Sequence, residues 1–72
     1  MKYAVTIEKT DTGYSAYPPD LPGVGAAGET LDEVRTLIRE AIAFHIEGLA
    51  EEGQSPPEPQ ALSEYVEVPG LT

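Results

Sequence analysis

Apolar and polar positions alternate with a period of two in the first part of the chain and with a period near 3.6 later on. The switch separates a sheet-forming half from a helix-forming one. Tyr3, Val5 and Ile7 alternate with Ala4, Thr6 and Glu8, the pattern of a strand with one face buried. Lys9 to Gly13 (KTDTG) is rich in turn formers, and Gly13 can supply a positive φ. The run Tyr14-Ser-Ala-Tyr17 then returns as the second arm of a hairpin, with Tyr14 and Ala16 on one face and Tyr17 on the other. Pro18 and Pro19 lack the N–H that a ladder needs, so the strand ends there and Asp20 to Gly23 forms a constrained loop. Val24 to Gly28 (VGAAG) predicts a third strand whose small side chains let a helix or a second subunit approach the backbone.

Thr30 with Glu33 three residues on has the form of a capping box, which starts a helix at Leu31. At about 100° per residue, Leu31, Val34, Ile38, Ala41, Ile42, His45 and Leu49 form one stripe, the face that covers the sheet. Asp32, Glu40, Ala43, Glu47 and Glu51 lie opposite. Leu37, Phe44 and Gly48 flank the stripe; they either cover the margin of the same core or form a subunit contact. Gly53 ends the helix, and Gln54 to Gln60, with three prolines, is an extended strap. Tyr65-Val-Glu-Val68 has strand composition and is expected to pair at a sheet edge before Pro69 and Gly70 stop it. The order is βββαβ, an α+β fold in a single domain over residues 1–72: a three-stranded antiparallel sheet, one helix packed across it and a short C-terminal strand.

A chain of 72 residues buries a low fraction of its surface, and without cysteine it has no disulfide or thiolate metal ligand to compensate. Self-association, as a dimer or tetramer, is the remaining means of stabilising a thin core. Thirteen acidic against four basic residues give a net charge of −9, which repels nucleic-acid backbones and favours encounter with a basic protein. Nothing at the N-terminus resembles a signal peptide or a membrane span, so the expected location is the cytoplasm.

Candidate chemistry is sparse. The lone His45 sits in the apolar stripe with no partner spaced to make it a base, and it is read as a packing residue. Asp11, Asp20 and Glu29 lie in turns near strand ends and would hold a divalent ion only if the fold gathered them. GVGAAG matches a dinucleotide loop in letters alone, and Pro56 to Pro59 is better read as linker than as a PxxP ligand. No catalytic, metal or cofactor site is expected. The rigid loop around Pro18–Gly23 is the candidate partner-binding element, with Tyr17, Pro19, Asp20, Leu21 and Pro22 as contacts, because prolines lower the entropy lost on docking.

The succession Tyr14 to Gly23 (YSAYPPDLPG), Gly28 to Glu33 (GETLDE), Glu40 to Leu49 (EAIAFHIEGL) and Gly53 to Pro57 (GQSPP) resembles the HicB-like antitoxin family over nearly the whole chain. The pieces are individually weak, and their order and spacing are specific together. The resemblance implies a partial RNase H-like fold without nuclease activity. It also implies a role: binding and occluding a small basic HicA-type, mRNA-cleaving toxin in a type II toxin-antitoxin system. Longer members of the family carry a C-terminal DNA-binding segment; these 72 residues show no counterpart, so direct nucleic-acid binding by this chain alone is not expected. Two other functions are open to the sequence: an orphan homo-oligomeric scaffold that buries Leu37 and Phe44, and a metal-dependent nuclease built on Asp11, Asp20 or Glu29.

Overall fold

The computed structural model describes residues 1–70. Strands β1 (Thr6–Lys9), β2 (Tyr14–Tyr17) and β3 (Ala26–Gly28) form an antiparallel sheet in the order β1-β2-β3, and helix α1 (Leu31–Glu51) packs over β2 and β3. The register pairs Ile7 with Ala16 and Ala16 with Ala26, so these three side chains share the face that the helix covers. Ala16, Val34 and Ile38 make the buried cluster, with Val5, Tyr14, Val24, Ala26, Leu31, Ala41 and Ile42 packed around it. Of the stripe read from helical periodicity, Leu31 to Ile42 meet the sheet, while His45 and Leu49 line a cleft beside it.

Helix α1 starts and stops where its local chemistry dictates. The Thr30 hydroxyl accepts from the Glu33 N–H at 3.1 Å, satisfying one donor that the first turn leaves unpaired. At the other end Gly53 takes φ 75°, its N–H donates to Ala50 O at 3.0 Å, and the Gln54 N–H donates to Leu49 O at 2.8 Å. These two bonds are those of a Schellman motif, in which a left-handed residue turns the chain away from the axis.

Four expectations are corrected. The first strand begins at Thr6 and not at Tyr3, because its partner stops at Tyr17 and the next residue, Pro18, offers no N–H. The third is shortened to Ala26–Gly28, since the Val24 N–H is spent on a turn, donating to Leu21 O at 3.3 Å. Gly13 is not among the residues with positive φ. Its lack of a side chain is required by space: a Cβ there would run into the Gly28 carbonyl oxygen and come within 2.8 Å of Glu29 Cα. Finally, Tyr65–Val68 forms no strand, and it lies exposed.

The strap is held at two points. The Tyr3 hydroxyl donates to Pro57 O at 2.6 Å, and the N–H groups of Gln60 and Ala61 both donate to one Asp20 carboxylate oxygen at 2.9 Å. The described chain measures 50 × 27 × 17 Å with a radius of gyration of 14.4 Å. A compact domain of this length would have a radius of about 11 Å, so the described chain is elongated.

Candidate partner-binding surfaces

Two consecutive turns build the Pro18–Val24 loop. The Leu21 N–H donates to Pro18 O at 3.0 Å, enclosing Pro19 and Asp20, and the Val24 bond to Leu21 O encloses Pro22 and Gly23. Pro22 presets the φ of the second turn and Gly23, at φ 85°, supplies the left-handed corner that a type II turn requires. The loop is rigid because its own residues dictate each corner.

Its side chains divide between inside and outside. Tyr17, Pro19 and Pro22 are exposed, whereas Pro18 is buried and Leu21 is 1% exposed. Leu21, expected to be a partner contact, is thus buried, outside the cluster under the helix, where its aliphatic side chain is kept from water. Asp20 is half-buried, with one oxygen committed to the strap. It belongs to the scaffold of the loop, whose exposed side chains are Tyr17, Pro19 and Pro22.

A second surface lies on the β3 side of α1. Gly23, Val24 and Gly25 face Ala41, Phe44, His45 and Gly48 across a shallow cleft of about 430 Å³. Phe44 is 80% exposed at its margin, Leu37 is exposed, and Gly48 is half-buried. His45 is half-buried beside Phe44 and lines this cleft instead of lying at the centre of the core. Gly48 is informative because nothing lies within 4 Å of the place its Cβ would occupy. A glycine inside a helix costs about 0.5–1 kcal/mol against alanine, and no neighbour among the described residues requires it. Gly48→Ala is therefore expected to stabilise the isolated chain by about that amount in denaturant unfolding. The same substitution should weaken any association through this cleft; a loss of stability instead would show that the chain itself needs the glycine.

The three carboxylates considered for a metal are not gathered. Among the described residues no group of three or more His, Cys, Asp or Glu side chains could hold an ion. No helix among them is long and apolar enough to cross a membrane.

A three-stranded sheet under one capped helix, with a double-turn proline loop at its edge, defines a small α+β domain. The profile of the family described as "HicB_like antitoxin of bacterial toxin-antitoxin system" matches residues 3–72, and the chain belongs to that family. It is 41% identical over 69 residues to a 14.9 kDa protein of the rep-hol intergenic region of Haemophilus phage HP1 (strain HP1c1), a match covering 96% of this chain and 52% of the relative. It is 30% identical over 70 residues to Antitoxin HicB 2 of Photorhabdus laumondii subsp. laumondii, covering 96% of this chain and 50% of the relative. The chain spans about half the length of both relatives. Among solved structures it superposes on a chain of the "HicA3 and HicB3 toxin-antitoxin complex" with a TM-score of 0.69 and 38% identity, covering 82% of this chain and 70% of that one.

Proposed function

We propose that this chain is an antitoxin module that binds a small basic, RNA-cleaving toxin of the HicA class in the cytoplasm and covers its active site. The observation that carries the reading is the likeness, at 38% identity and a TM-score of 0.69, to a chain from a toxin-antitoxin complex, in a chain whose family match runs from residue 3 to 72. The net charge of −9 supports it, because complementary potentials speed encounter with a basic partner and penalise wrong ones. On this reading the module acts by occupancy, and Asp20, one of the three carboxylates considered for a metal, serves instead to hold the strap.

The contact is placed on the outward side chains of the loop, Tyr17, Pro19 and Pro22, held in position by Asp20 and Leu21. An aromatic side chain on a preordered backbone loses little entropy when it docks. Tyr17→Ala is expected to raise the Kd for the toxin by about tenfold, equivalent to ~1.4 kcal/mol, with unfolding unchanged. The association should also weaken as salt screens the exposed charges. Titration calorimetry at two salt concentrations tests both points. An affinity indifferent to Tyr17→Ala moves the contact elsewhere, and one indifferent to salt removes the electrostatic part.

Homo-oligomerisation through Leu37, Phe44 and Gly48 is a second reading, compatible with the first, and the unneeded helical glycine beside an exposed phenylalanine favours it. On this second reading Phe44→Glu lowers the mass in solution. An unchanged mass would assign these residues to the free surface.

A further inference from the structure

The opposite flank of α1 carries a different feature. Between the start of the chain and the helix runs an apolar groove of about 300 Å³, with Val5, Ile7, Ile38 and Ile42 along it and Arg35 and Arg39 beside it. Two of the chain's four basic residues thus stand together, one helical turn apart, on a protein of net charge −9. Among the described residues Arg35 makes only a long, exposed contact with Asp32 at 3.6 Å, which contributes little in water.

The groove adjoins the outer edge of β1, which has no ladder partner among the described residues. An unpaired edge is a template for a further strand. The chain's own residues Ser63, Glu64 and Tyr65 come alongside Val5, Thr6 and Ile7 but leave a cleft of about 210 Å³ between them. The anchors at Pro57, Gln60 and Ala61 set the path of this arm, and beyond them its apolar side chains are in water. Leu62 is 79% exposed, Val66 76%, and Tyr65 fully so. In an extended segment Leu62, Glu64, Val66 and Val68 share one face, three apolar groups with a single carboxylate among them. That face matches an apolar groove flanked by two guanidinium groups.

We propose that residues 62–68 are an exchange arm, which adds as a strand to the β1 edge of a second copy of this chain while that copy returns the same arm. In this pairing Leu62, Val66 and Val68 enter the groove and Glu64 meets Arg35 and Arg39. The exchange is reciprocal and so closes as a two-fold dimer. The groove shares no residue with the Phe44 cleft or the proline loop, and the arm begins beyond the bonds of Gln60 and Ala61 to Asp20, so the dimer can be tested separately from toxin binding.

The test uses the purified protein alone, with mass in solution followed across concentration by light scattering, and isotope-filtered NMR on an equal mixture of labelled and unlabelled chains. A dimer is expected, with contacts from Val66 of one copy to Ile7 of the other. Val66→Glu and Arg39→Glu should each raise the dimer Kd at least tenfold, and Glu64→Arg combined with Arg39→Glu should recover most of that loss. All of these positions are exposed, so folding is retained and circular dichroism verifies it. A monomer at every concentration would overturn the proposal. So would Val66–Ile7 contacts confined to one chain, or a dimer that Phe44→Glu dissociates and Val66→Glu leaves intact.

Discussion

Leu21→Ala is expected to destabilise the protein by about 2–5 kcal/mol, the range for truncating a fully buried leucine. A domain of this size has a total stability of only roughly 4–11 kcal/mol, so a large fraction of the molecules would unfold near physiological temperature. The reason lies in the small interior: Leu21 is 1% exposed, and with Pro18 and Val34 it is among the largest fully buried side chains. Urea unfolding checks it through a lower midpoint at constant m-value. Pro22→Ala, made in the same loop at an exposed position, should shift the midpoint far less. If Leu21→Ala left the midpoint unmoved, Leu21 would be the exposed contact that its proline-rich setting suggests in the sequence, and its burial would be wrong.

Gly13→Ala has the next largest expected effect, and its sign separates two physical reasons for a glycine. On conformational entropy alone, replacing a glycine without positive φ by alanine stabilises by about 0.4–1 kcal/mol. Here the added methyl would meet backbone at Gly28 and Glu29, where β2 begins beside the end of β3, and backbone gives way less easily than the end of a side chain. Overpacking of this kind costs about 1–3 kcal/mol, so destabilisation is expected to win. Amide exchange should quicken across the pairing of Tyr14 with Gly28 and Ser15 with Ala27. Slower exchange and a higher midpoint would mean that the two backbones do not approach as described.

These positions also mark where the sequence was legible. The helix could be read to its ends because each signal is local: a threonine that caps, a stripe at helical spacing and a glycine that reverses the chain. The hairpin was legible for the same reason, through alternation that the register of Ile7 with Ala16 fulfils. Leu21 reads as a contact because the composition around it is that of an exposed loop, whereas its burial depends on tertiary packing that no local pattern encodes. Asp20 was singled out for its place in that loop, but its use, tying down residues 60 and 61, is a contact across 40 positions that no local pattern encodes. The segment Tyr65–Val68 has the side chains of a strand and no pairing in this chain, since composition reports what a segment suits and not whether an edge is within reach. The flanking residues Leu37, Phe44 and Gly48 were legible as surplus apolar surface, and the structure adds the open space over Gly48.

The central claim is that the chain occludes a small basic toxin, and one experiment addresses it most directly. The protein would be recovered from its source cells at low salt, the masses of everything bound to it determined by native mass spectrometry, and RNA cleavage assayed before and after the complex is separated. The account predicts a small basic companion in fixed stoichiometry that leaves RNA intact while bound and cleaves it once released. Recovery of the chain only with copies of itself across growth conditions, or with a companion whose RNA cleavage is the same bound and free, would contradict it.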